Sequence, residues 1–185
     1  MHIRYCYYSP TAVNDANAIP LIWPDTVTPN AHAEQARARK RAAAAEVGID
    51  EAMIGALVDR FYSRIQADDV LGPIFARHTG DWSQHLPRMK DFWASIMIES
   101  GRFNGSPMQK HIALGVLTSG HFDRWLALWD ETLAENVASP TAAERFRTTA
   151  HRIADSLLTG VLAERGGLAA LRSTAAAPEP METKL

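Results

Sequence analysis

Across residues 47–168 the large apolar side chains recur at steps of three and four, and in no stretch do they alternate in twos for long enough to build a strand. That spacing is the signature of amphipathic helices, whose buried face returns about every 3.6 residues. It confines the chain to a packing of helices, and the expected fold class is all-α. The first stripe is Met53, Ile54, Leu57, Val58, Phe61, Tyr62 and Ile65, with Asp50 placed to cap its start. Leu71-Gly72-Pro73-Ile74-Phe75 then breaks the pattern, because Gly and Pro both interrupt helices. A second helix, expected over 81–99, carries Trp82, His85, Leu86, Met89, Phe92, Trp93, Ile96 and Met97. Pro87 in its early turns predicts a late start or a kink. A short helix follows with clear punctuation: Ser106 as cap, Pro107 as first residue and Gly115 just past the end. Two longer helices complete the series. One begins near Ser119 and carries Phe122, Trp125, Leu126, Trp129 and Leu133; the other, over 140–166, carries Phe146, Ala150, Ile153, Leu157, Leu158, Val161 and Leu162.

At 185 residues and 46% apolar, the chain has material for one domain with a real core. It divides into three parts. Residues 1–46 are an extension, irregular through Pro10, Pro20, Pro24 and Pro29, then an Ala- and Arg-rich helix over Ala31–Glu46. Residues 47–168 are the helical domain, and 169–185 are expected to be a loose tail. Tyr5, Tyr7, Tyr8 and Trp23 give the extension groups that could dock on the domain. The cluster Arg37, Arg39, Lys40 and Arg41 reads either as a solvated helix face or as a patch for anionic partners. A net charge of −2, from 19 basic and 21 acidic residues, argues against binding nucleic acid. No apolar run approaches the roughly 20 residues that span a bilayer, so no membrane partner is expected. Residues 1–18 lack the pattern of a secretory signal. The lone Cys6 permits no internal disulfide. A cytoplasmic location is the expectation.

A polar side chain on an apolar helical face needs a reason, because burying it unpaired is costly. Tyr62, His85 and His111 stand on such faces, and Trp125 adds an indole N–H. Each has a plain structural reading: a core tyrosine bonded to a carbonyl, histidines with ordinary partners, a packing tryptophan. As a set they also satisfy a haem crevice. Two histidines on separate helices could face one another across a flat ligand, with Tyr62 and Trp125 as further donors and Phe61, Phe75, Met89, Phe92 and Trp93 as apolar walls. Other metal chemistry fares worse. There is no H-E-x-x-H and no C-x-x-C, and Trp82 and Met108 stand where a di-iron Glu-x-x-His pair would need glutamates. Neither G-x-S-x-G nor a Gly-rich phosphate loop is present.

The ordered runs F-Y-x-R-I, L-G-P-I-F, D-W-x-x-H-L-P-x-M-x-D-F-W, G-R-F-N-G-x-P-M-x-x-H and H-F-D-R-W-L-A-L-W span about Ile49 to Leu162. In this respect the chain resembles the group III truncated haemoglobins. The resemblance implies a globin-like, truncated two-over-two helical sandwich around haem b, iron protoporphyrin IX. It implies His111 as the iron's protein ligand, and Tyr62, His85 and Trp125 as the residues on the opposite, distal face. Phe75 falls on the phenylalanine that packs against the haem plane and Met89 on a distal apolar wall. Phe103 departs from the pattern where a tyrosine is expected, Gly115 and Val116 where a proline is common, and Trp129 where phenylalanine is usual. Arg102 and Lys110 are the expected partners of the haem propionates.

The function so implied is binding of dioxygen and other diatomic ligands. A donor-rich distal pocket suits redox chemistry, nitric-oxide dioxygenation or peroxide reduction, better than oxygen transport. Such an enzyme needs a separate electron donor or reductase. The alternative expectation is a haem-based ligand sensor or interaction module with its output through the extension.

Overall fold

The structure, a computed structural model, describes residues 29–175, which form seven α-helices and no strand. Helix α1 (Pro29–Ala45) is the Ala- and Arg-rich end of the extension. The irregular piece with Tyr5, Tyr7, Tyr8 and Trp23 lies outside the described residues. Helix α2 (Glu51–Ala67) starts where expected, because the Asp50 carboxylate accepts the Met53 amide at 2.7 Å. Its apolar stripe is sealed: Ile54, Leu57, Val58, Phe61, Tyr62 and Ile65 are all buried.

The expected break at residues 71–75 is itself the start of a helix, α3 (Gly72–His78). The pattern does stop there, but Pro73 sits in the first turn, where a missing N–H costs nothing. Asp68 secures the turn by accepting the Val70 and Leu71 amides at 3.0 and 2.8 Å. Helix α4 (Trp82–Ile98) begins on time rather than late, with Asp81 accepting the Ser83 amide at 2.8 Å and Pro87 inside the helix. Helix α5 (Pro107–Leu114) matches its punctuation, with Gly115 at φ 66°, a conformation that favours glycine. Helix α6 (Ser119–Asn136) follows, and α7 (Pro140–Ala175) runs past residue 168, where the tail was expected to begin.

Helices α2 and α4 pack together, α6 and α7 pack together, and α2 joins the two pairs through α6. This is the two-over-two sandwich. The short α3 lies on α2, α5 on α7 and α1 on α4. Two apolar clusters result. The larger joins α2, α4, α6 and the first half of α7 around Phe61, Trp93, Trp129 and Phe146. The smaller joins Leu117, Phe122, Ala154, Leu157 and Val161, with Met108, Ile112 and Leu114 of α5 packed on it. Leu126 and Ile153 touch both clusters, so the two meet along one seam.

Candidate functional site

Four rings gather on the side of the larger cluster nearest α3. Tyr62 of α2 lies edge-on to His85 of α4, centroids 5.4 Å apart, and 6.0 Å from Phe75 of α3. Trp82 completes the group, stacked on Phe75 at 6.1 Å and edge-on to His85 at 5.5 Å. Trp82 lies three residues before His85, so helical geometry puts both on one face. Trp125 of α6 joins through Phe61, which is 5.1 Å from Tyr62 and 5.2 Å from Trp125.

Polar atoms in this ring group are left without protein partners. The Nε2 atom of His85 is buried and makes no hydrogen bond. Burial, with the nearby Arg88 charge, holds the His85 imidazolium below its ordinary pKa, so the ring is neutral at neutral pH. Burial pushes the Tyr62 phenol well above its ordinary range, so its hydroxyl keeps the proton and can donate it to a hydrogen bond. A native fold rarely leaves such groups unpaired; water or a ligand ordinarily completes them.

His111 lies beside the smaller cluster. It is half-buried on α5, with its ring 6.3 Å from that of Phe122. Its Nδ1 lies 2.7 Å from the Pro107 carbonyl oxygen. A carbonyl can only accept, so Nδ1 carries the proton and Nε2 keeps its lone pair free. That is the tautomer a metal-ligating histidine needs, oriented by a backbone oxygen. Close helix packing supports it, because Met108 covers Gly160 of α7, where any Cβ would collide with the thioether.

The turn after α2 is tied to α6. Asp68 is almost fully covered, and Arg124 donates Nε to its carboxylate at 2.7 Å. Burial pushes that carboxyl up, but the Leu71 and Val70 amides and the Arg124 guanidinium outweigh it and hold the pKa below the ordinary value. The pair links the end of the helix bearing Tyr62 to the residue before Trp125. These two residues are 56 positions apart, and no local pattern announces them.

Known proteins match this arrangement. The bacterial-like globin family matches residues 45–159. The group 3 truncated hemoglobin of Campylobacter jejuni is 34% identical over 89 residues, which cover 46% of this chain and 70% of that protein. The crystal structure of the group III truncated hemoglobin from the same organism superposes with a TM-score of 0.58 at 29% identity, covering 61% of this chain and 91% of that one. This chain is a group III truncated haemoglobin.

Membership in the globins implies haem, with iron and small gas ligands such as oxygen. The donor set fits that group: an imidazole whose Nδ1 is taken by a backbone carbonyl, with Nε2 left without a protein partner, beside one cluster, and an unpaired buried His85 Nε2 among aromatic rings on the other. The remaining candidates divide. In this globin Met89 packs on the larger cluster, one helical turn after His85 on α4. Phe92 instead faces a cavity among α4, α5 and α7. Trp93 is not brought to the rings. It stacks on Trp129 at 4.5 Å in the centre of the core. The Arg102 guanidinium is held by Asp91 and Glu51, at 2.8 and 2.9 Å. Lys110 is exposed on α5. Among the described residues no helix is long and apolar enough to cross a membrane.

Proposed function

We propose that this globin binds haem b through His111 Nε2 and holds diatomic ligands for redox chemistry, with nitric-oxide dioxygenation or peroxide reduction as the activity. The observation that carries this reading is the unpaired, buried His85 Nε2 beside the Tyr62 ring. Haem held by His111 Nε2 would supply an iron able to take a small ligand. The protein's part is to aim donors at that ligand. Tyr62 O–H and Trp125 N–H would donate to such a ligand and stabilise negative charge on it, among rings that exclude water. His85, neutral and uncharged, is the third polar group and can accept or donate there according to its tautomer. Met89 and Phe75 shape the apolar wall. Both activities consume electrons, which a separate reductase or small reductant supplies.

The test is the visible spectrum of the purified protein supplied with haem, beside His111→Ala. An intense haem band that the alanine variant loses or shifts is expected; failure of the unmodified protein to take up haem overturns the reading. Tyr62→Phe removes one charge-assisted hydrogen bond worth about 1.5–3 kcal/mol, so dioxygen release should speed by roughly one to two decades. Turnover of nitric oxide or peroxide with a chemical reductant then separates the two activities.

A second reading is a ligand sensor with output through the extension. It is favoured by the way α1 is fastened: Lys40 pairs with Glu99 at the end of the distal helix, and Arg145 donates to the Ala43 carbonyl at 2.8 Å.

A further inference from the structure

Helix α5 has little of its own to hold it. None of its residues is fully buried, and the Ser106 side chain makes no cap bond at its start. Ile112 and Leu114 rest, half-buried, on the smaller cluster. Apolar contact of this kind is non-directional, so it seats a helix without fixing where along its neighbour the helix stands. Two further contacts with α7 are specific. At the start of α5, Met108 fills the notch left by Gly160, where a Cβ would collide with its thioether. At the other end, the Gly115 carbonyl accepts Nη2 of Arg165 at 2.8 Å.

The second contact answers a need that every helix end has. The last carbonyls lack helical partners, and a cation there also meets the negative end of the helix dipole. Gly115 closes α5 in the left-handed conformation, φ 66°, with its amide bonded back to Ile112. Its carbonyl lies past the last turn, and Arg165 of α7 supplies the donor. This is also where the sequence departs from its family, with Gly115 and Val116 where a proline is common. The two contacts bracket His111, since Met108 stands about one turn before it and Gly115 about one turn after. A helix fastened at both ends neither slides along its neighbour nor pivots on it.

We propose that Arg165 is a positioning residue for His111: together with the Met108–Gly160 contact it fixes the place of α5 along α7, and so the place of His111 Nε2. The proposal rests on His111 as the haem ligand. Arg165 acts through the backbone of α5 and not on the imidazole, whose Nδ1 is already taken by the Pro107 carbonyl. Loss of the tie therefore keeps the ring's orientation on α5 and loosens α5 itself.

The test uses the full-length, haem-loaded protein, reduced and without added ligand, and reads the iron–imidazole stretching band by resonance Raman. His111→Ala should abolish the band. Arg165→Met removes the donors and keeps an apolar stem. It should shift or broaden the band and speed haem transfer to an apoglobin acceptor about two- to tenfold, the range for one ordinary hydrogen bond. Arg165→Lys, which can still donate to the carbonyl, should return the band toward that of the unmodified protein. Gly160→Ala, at the other end of α5, should disturb the band through Met108. An Arg165→Met band identical to that of the unmodified protein overturns the proposal, whatever happens to the urea midpoint, because a merely stabilising residue moves the midpoint alone. A band that survives His111→Ala overturns the haem-ligand reading itself, and the proposal with it.

Discussion

The wall that carries Tyr62, His85 and Trp125 and the wall that carries His111 are built by different means. The first is held by bulk packing. Behind its rings lies a stack in which Trp129 lies 5.7 Å from Trp125 and 4.5 Å from Trp93, nearly parallel to both, with Phe61 and Phe146 fully buried against it. Its helices are long, and α2 and α4 begin on side-chain caps from Asp50 and Asp81. The second wall is an eight-residue helix with no fully buried residue and no side-chain cap bond from Ser106. What orients His111 is a single bond to the Pro107 carbonyl, one glycine stop and the packing of Met108 on Gly160. Tyr62, His85 and Trp125 are therefore positioned by the core, whereas the His111 ring, the proposed ligand, is positioned by local backbone geometry on an element that the core touches from one side.

If that contrast is right, the two walls fail differently. Trp129→Ala should have the largest effect, a loss of about 3–5 kcal/mol in chemical denaturation, because it empties the centre of the stack. Equal stability of this variant and the unmodified protein would break the contrast. Phe122→Ala, beside His111 in the smaller cluster, should cost less, about 2–3 kcal/mol, yet release haem faster than Trp129→Ala does in a competition assay. A shared rate would show the walls to be one unit.

Acid should act through the wall that carries His85. The folded-state pKa of His85 is lowered from 6.5, so the unfolded chain binds its proton first. That contribution to stability is complete above this value and is lost as pH falls from it toward the depressed folded value. His85→Phe should flatten that part of the stability curve, read by urea titration across the range. The Asp68 carboxyl, also lowered, adds a further loss at more acid pH, as the carboxylate paired with Arg124 is protonated. The smallest effects separate the caps. Asp50→Ala should cost about 1 kcal/mol, while Ser106→Ala, which removes no cap bond, should cost only about a few tenths.

Much of this molecule could be read from residue spacing. The stripe from Met53 to Ile65, the cap at Asp50 and the Ser106-Pro107…Gly115 punctuation each act within one or two helical turns, so their signals are local. The start of α3 was hidden for a related reason: Gly72 and Pro73 carry the same mark whether they end one helix or begin another. The aromatic stripe of α4 was legible as a stripe but not as two destinations. His85 and Trp82 turn to the Tyr62 and Phe75 rings, whereas Trp93, on the same helix, enters the Trp129 stack. Arg102 read as a free cation near the site, and only the fold brings Glu51 and Asp91 to it.

The sequence by itself determined the helices, their order and the residue types able to hold haem, because periodicity, caps and side-chain chemistry are properties of neighbours along the chain. The tertiary structure decided the Nδ1 contact of His111, the unpaired state of His85 and the tie from Asp68 to Arg124. Those depend on distances between residues far apart in sequence, and on burial, which sets what water can no longer satisfy.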